Sequence, residues 1–306
     1  MASRFRTFTD NFDAIPRPLR GMLLMLVATV LVITMNVTLR QIADELHVFE
    51  LAFLRNLFGF LLFLPWLIAA RSNPLRTRRI GLHLGRAGFN TVATLAYFVA
   101  LVLIPLVQVT ALTFTSPLIA TLLAVAVLHE TMSGRRWARF FIGLVGAVII
   151  LRPGFREIGT GHLMALLSTG TWACALICTK ILARTETSLT IAAYSALLQV
   201  PIAFIGAVFF WETPSLRQIG ILIVLGGLAG IIQLCIAQAF RDADATLVLP
   251  IDFTKLIWAS IAGYLVFSEI PDIWTWIGAI VVFLGVFYMA LQERKEIGQD
   301  RTNANE

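Results

Sequence analysis

Residues 112–130 read LTFTSPLIATLLAVAVLHE, and residues 251–269 read IDFTKLIWASIAGYLVFSE. A shift of 139 positions lays Phe114 on Phe253, Thr115 on Thr254, Ala120 on Ala259 and Glu130 on Glu269. The same shift carries Ala100 onto Ala239, Trp137 onto Trp276 and Gly146 onto Gly285, with apolar runs falling on apolar runs throughout. The chain therefore reads as two copies of one unit. If each copy holds an odd number of membrane spans, the second lies upside down relative to the first, as in many transporters.

Composition points to a membrane. The 306 residues are 58% hydrophobic and only 14% charged, with a mean hydropathy of +0.84, whereas a soluble domain carries about 25% charged residues. Apolar stretches near 19–40, 49–70, 79–101, 105–127, 135–151, 160–183, 189–210, 216–238, 244–267 and 272–292 approach the roughly 20 residues a spanning helix needs. They lack the alternation of barrel strands and are too long for them. Ten spans divide into five and five, so the expected fold is an all-α integral membrane protein of ten transmembrane helices in two inverted five-helix repeats. The expected organisation is a cytoplasmic segment 1–18, repeat 1 at 19–154, repeat 2 at 155–292 and a polar tail 293–306.

Basic residues orient the spans. Arg4, Arg6, Arg17 and Arg20 precede the first span, and Arg71, Arg76, Arg78 and Arg79 lie between the second and third. Arg135, Arg136, Arg139, Lys180, Arg184, Arg241, Arg294, Lys295 and Arg301 continue the series on the same side. The opposite loops hold only Arg40, Arg152, Arg156 and Arg217. Both termini are expected in the cytoplasm, the protein being multi-pass in the cytoplasmic (inner) membrane. The net charge of +6 is then a matter of topology and of anionic lipid head groups, with no nucleic-acid partner. Residues 1–18, where Phe5, Phe8 and Phe12 interleave with arginines, suit a short interfacial helix or a frayed tail equally. No cleavable signal peptide is expected.

Enzymatic chemistry finds little to work with. His129-Glu130 opens like a zinc-protease motif, but Ser133 stands where the second histidine belongs. There is no G-x-S-x-G turn and no phosphate loop, so ATP is not a direct energy source. His47, His83, His129 and His162 sit mostly at span ends, where histidines are usually interfacial. Cys174, Cys178 and Cys235 read as small core residues. Neither catalysis nor a metal nor a cofactor is expected.

Polar residues inside spans are costly in hydrocarbon and mark functional sites by default. Asp252 and Lys255 stand near the middle of the ninth span, one helical turn apart. A self-neutralised pair would serve packing alone, but an apolar site would do that at lower cost. Both residues are therefore candidate substrate ligands, and Asp252 is the candidate for proton coupling. The repeat sharpens this: Thr113 corresponds to Asp252 and Ser116 to Lys255, so both copies are polar at matched depths and one is charged. Arg55 could hold a carboxylate or phosphate. Asn90, Tyr97, Trp172 and Tyr194 are further wall candidates, an aromatic ring with one polar handle suiting a planar ligand. Gly226 with Gly230, and Gly143 with Gly146, offer surfaces for close helix approach. Pro117 and Pro250 are expected to kink their spans.

The stretch 111–154 resembles the end of an EamA domain of the drug/metabolite transporter superfamily. Its pattern is Pro117 in the fourth helix, Glu130 at that helix's end, and a fifth helix with Gly143 and Gly146. The second copy keeps Glu269, Trp276, Gly278 and Gly285 but has Leu256 in place of Pro117. The resemblance covers about 19–292 and implies a central cavity with alternating access. Members of this superfamily carry amino acids, nucleotide-like metabolites, riboflavin, S-adenosylmethionine, opine metallophores or drugs. The expected function is secondary transport of an amino acid-like or heteroaromatic solute, with riboflavin-type vitamin uptake as the alternative within the superfamily. The alternatives from other classes are a membrane enzyme or a channel. The partners expected are a small-molecule solute and membrane lipids, the protein being a monomer or a homodimer.

Overall fold

The computed structural model describes residues 16–69, 77–128, 134–152, 158–243, 248, 251–285 and 287–288. The expectations for the first fifteen residues, the tail, Glu130 and Pro250 lie outside them. The helices are α1 Arg17–Ile42, α2 Val48–Ala69, α3 Ile80–Leu103, α4 Leu106–Thr113, α5 Ser116–Leu128, α6 Gly134–Leu151, α7 Thr160–Leu182, α8 Ser188–Ala207, α9 Leu216–Asp242, α10 Thr254–Phe267 and α11 Ile273–Gly285. Among the described residues there is no β-strand.

Among the described residues, seven stretches are long and apolar enough to cross a bilayer, α4 and α5 together forming one of them. Phe140–Leu151, α10 and α11 are shorter apolar helices. Large apolar side chains stand exposed on the outer faces, as Leu19, Leu23, Val27 and Val30 do along α1. In water such a surface would be a liability, and in lipid it is the expected solvent. The protein is a multi-pass membrane protein.

The fourth span is broken. Helix α4 ends at Thr113, Phe114 and Thr115 form a turn, and α5 restarts at Ser116. Pro117, the expected cause of a kink, occupies the first turn of α5, where its missing N–H costs nothing. The second copy breaks at the matched place, with Phe253 in a turn between the helical residues Ile251–Asp252 and α10. Leu256 stands there in place of proline, so a proline at this position is not required for the break. Both turns carry the same side-chain bond: Thr115 Oγ1 donates to Leu112 O and Thr254 Oγ1 to Ile251 O, each at 2.7 Å. At the first break the Thr115 backbone N–H also donates to Leu112 O, at 3.0 Å, and such local bonds keep polar groups paired where a helix is interrupted inside a membrane.

Helix packing follows the repeat. If α1 matches α7, α2 matches α8, α3 matches α9 and α5 matches α10, contacts come in corresponding pairs. Helix α3 packs on α7 as α9 packs on α1, α2 on α9 as α8 on α3, and α1 on α10 as α7 on α5. Helix α2 crosses its own counterpart α8, and α4 meets α10. Glycine permits the tightest crossings: a Cβ on Gly146 would lie 2.7 Å from Gly278 O, and one on Gly226 would lie 2.7 Å from Gly59 N. Gly143 faces Leu118, while Gly230 has open space beside it.

The loops form two sets. At the Arg40 end, Arg40 bonds Glu269 at 2.5 Å, Arg152 pairs with Asp272, and Arg217 pairs with Glu45 at 3.1 Å. At the Arg20 end, Arg20 pairs with Asp242 at 2.6 Å, and Glu186 accepts from Thr77 and meets His83 Nε2 at 2.8 Å.

Candidate functional site

The matched breaks face each other. The Phe114 and Phe253 rings stack with centroids 4.0 Å apart and planes 12° from parallel, and Phe283 leans on Phe253 from the other side. Equivalent residues of two copies can stack on each other only close to the axis relating the copies, so this pair lies beside that axis. The polar residues singled out from the repeat flank it. Asp252 and Lys255 form an ion pair one turn apart, their side chains 20% and 19% exposed.

On the uncharged side, Thr113 donates to Thr110 O within its own helix at 2.7 Å. The Ser116 hydroxyl is buried without a hydrogen-bond partner. Trp258, one turn beyond Lys255, likewise has a buried indole N–H with no acceptor. Thr29, wholly buried in α1, bonds Thr254 Oγ1 at 3.1 Å and ties that helix to the second break.

Arg55 lies over the Phe98 ring, 5.3 Å from its centroid, and donates to Asn56 Oδ1 at 2.9 Å. Among the described residues it has no carboxylate partner, and its Nε and the Asn56 Nδ2 are buried and unbonded. An arginine without a counter-ion inside a membrane protein is costly, so these donors call for an anionic group. Arg86 is held between helices, its Nε donating to Thr179 Oγ1 at 2.6 Å and Nη1 to Ile191 O at 3.1 Å.

The remaining wall candidates scatter. Tyr97 accepts at its hydroxyl from Asn36 Nδ2 at 2.7 Å, and Asn36 is 1% exposed. Tyr194 stacks on His83 at 4.4 Å, toward the Arg20 end. Asn90 is buried and makes one long contact, 3.5 Å to Ser195 Oγ. Trp172 is 47% exposed on α7. Two histidines expected at the interface are buried: His83 against Glu186, and His162 3.2 Å from Gln108 Oε1. Burial works against the Glu186 charge, but the Thr77 and His83 hydrogen bonds outweigh it and hold that carboxyl below its usual range. Neither Trp258 nor the Phe stack was singled out from the sequence, although the stack could have been inferred from the self-match of Phe114 with Phe253.

No group of three or more His, Cys, Asp or Glu side chains able to hold a metal occurs among the described residues. A twice-broken bundle, a mid-span ion pair and an unpaired arginine suit binding and release of a polar solute. The EamA-like transporter pattern matches residues 19–152 and again residues 159–291. The chain belongs to the EamA-like transporter family. It is similar to an S-adenosylmethionine uptake transporter of Rickettsia prowazekii (strain Madrid E), 28% identical over 93% of this chain and 97% of the relative. It is also similar to riboflavin transporters of Vibrio cholerae serotype O1, 29% identical over 94% of this chain and 98% of the relative, and of Brucella anthropi, 31% identical over 82% and 90%. A solved crystal structure shares the fold, with a TM-score of 0.58 and 18% identity over 89% of this chain and 98% of that one. This EamA-family chain is a transporter of a small metabolite.

Proposed function

We propose that the protein is a secondary transporter that carries a zwitterionic, ring-bearing metabolite across the cytoplasmic membrane by alternating access, with S-adenosylmethionine as the leading solute. The observation that carries this reading is the Asp252–Lys255 pair, mostly buried beside the Phe114–Phe253 stack. An amino-acid group presents one carboxylate and one ammonium. It can replace the internal pair charge for charge, Lys255 taking the carboxylate and Asp252 the ammonium, so little electrostatic energy is lost on binding or release. Trp258 and Ser116 offer unused polar groups nearby, and Arg55 supplies a second anion-binding position. Riboflavin is the second reading, favoured by the relative at 31% identity. Its ring needs the aromatic faces and the orphan donors more than the charges.

This proposal takes the fold as ten spans in two inverted repeats of residues 19–154 and 155–292, both termini cytoplasmic. Support comes from the paired packing and from the two sets of loops, where each of the links named above stays at one end. Coupling to protons would fall to Asp252, whose charge Lys255 balances.

Reconstitution tests the proposal. Proteoliposomes preloaded with unlabelled S-adenosylmethionine should take up labelled S-adenosylmethionine with saturation, and Lys255→Met should lose that exchange. Saturable exchange of riboflavin alone, untouched by Lys255→Met, would transfer the assignment to the second reading.

A further inference from the structure

The two copies do not pack identically, and the difference has a direction. At the Arg40 end α1 packs on α3 and α2 packs on α3. The corresponding contacts, α7 on α9 and α8 on α9, are not made to a comparable extent among the described residues. Because the copies are inverted in the proposed topology, these missing contacts belong to the Arg20 end.

Side chains tell the same story. Asn36 and Tyr97 join α1 to α3, each six residues from the Arg40 end of its helix, or about 9 Å deep at 1.5 Å per residue. The first helix of each copy aligns at a shift of 140, as the two family matches begin at residues 19 and 159. That places Leu176 at the Asn36 position, while the 139 shift places Ile236 at the Tyr97 position. Asn36 is 1% exposed but Leu176 is 41% exposed. Along α7 the face carrying Ala165, Ser168 and Thr169 is buried, and at helical spacing it continues as Trp172 and Leu176, which are exposed. One face of one helix thus changes from sealed to open halfway through the bundle.

The path toward the Arg40 end is filled. Leu106 through Leu112 are buried on every side, above the Phe114–Phe253 stack. Glu269 closes this end across the repeats: one carboxylate oxygen holds Arg40, and the other accepts the Leu106 N–H at the start of α4 at 2.9 Å. Ser268, in a left-handed turn at φ 55°, aims it there. The Arg20-end links described above stay inside one of two groups, α1 with α9, or α3 with α7 and α8.

Resting on the transporter reading, we propose that this structure is closed at the Arg40 end and open at the Arg20 end, that Asn36–Tyr97 and Glu269–Leu106 N–H are the bonds of the closed gate, and that Leu176 and Ile236 are the residues that meet when the gates exchange. The two gates differ in chemistry: the closed one is hydrogen-bonded, the open one closes on an apolar contact. Asn36 and Tyr97 are therefore gating residues.

The test uses full-length protein in proteoliposomes with Cys174, Cys178 and Cys235 replaced by serine. One variant carries Asn36→Cys with Tyr97→Cys, the other Leu176→Cys with Ile236→Cys, and both meet a short bifunctional thiol reagent. The first pair should be captured readily without solute, and capture should stop exchange at least tenfold until the link is cleaved. The second pair should be captured slowly at rest and severalfold faster during exchange. Capture of both pairs in the resting protein, or unchanged exchange after capturing the first, overturns the proposal. If the uncaptured variants and their parent exchange neither S-adenosylmethionine nor riboflavin, the assignment of solute fails. The gate is then judged on capture at rest: the first pair alone supports it, and the second pair captured as readily contradicts it.

Discussion

The segment 112–117 and the segment 251–256 share a break, a stacked phenylalanine and a threonine hydroxyl bonded to the carbonyl three residues back, yet one carries Thr113, Ser116 and Pro117 where the other carries Asp252, Lys255 and Leu256. What the copies hold in common is mechanical: two discontinuous helices meeting on one axis. What they do not share is charge. In the proposed transporter, the ion pair on one side only is what gives a symmetric scaffold an asymmetric site for an asymmetric solute.

The largest expected effect comes from breaking that asymmetry. Lys255→Met or Asp252→Asn should lower solute exchange by about a hundredfold, the scale of about 2.7 kcal/mol in a barrier. Ser116→Ala and Thr113→Val should lower it less than about threefold. Correctly inserted Lys255→Met protein with normal exchange would reduce the pair to a packing element.

Next is the shared scaffold. Gly146→Ala would drive a methyl group against Gly278 O and the Val282 backbone. It should lower thermal stability in detergent by several degrees, whereas Gly230→Ala, with open space around it, should change it little. Equal effects would mean that α6 and α11 do not meet at this glycine.

Pro117→Leu gives the first copy the residue of the second. The break at Phe253 forms with leucine at the matched position, so this change should leave exchange within about twofold and stability close to that of the parent. A large loss would show that the two breaks have different causes.

The smallest effect concerns the Arg20 end. Glu186 is held below its ordinary value of 4.5, so its stabilising contribution is complete above that pH and is lost as pH falls through the lower folded-state value. Glu186→Gln should flatten the acid side of the stability profile below about pH 4.5 and leave the neutral range nearly unchanged. A variant with an identical acid profile would remove this carboxylate from the account.

Much of the fold was legible because span length and the 139-residue self-match are linear properties. The Asp252–Lys255 pair was legible too, since one helical turn brings the two side chains together whatever surrounds them. Other features depend on which helices meet. Nothing in the sequence says that Asn36 faces Tyr97, that His162 is buried against Gln108, or that Arg86 is captured by Thr179 and Ile191. Pro117 drew attention as the breaker, although Thr115 and Thr254 carry the common geometry. Trp258, an ordinary span tryptophan by sequence, is distinguished only by an unpaired N–H that the fold leaves buried.

The central claim is that the charged break of the second copy holds the solute. Equilibrium binding of labelled S-adenosylmethionine to the purified protein, compared between the parent, Lys255→Met and Ser116→Ala, addresses it without requiring turnover. Saturable binding by the parent and by Ser116→Ala, with binding by Lys255→Met weakened at least tenfold, is the predicted result. Equal affinity in all three proteins would contradict it.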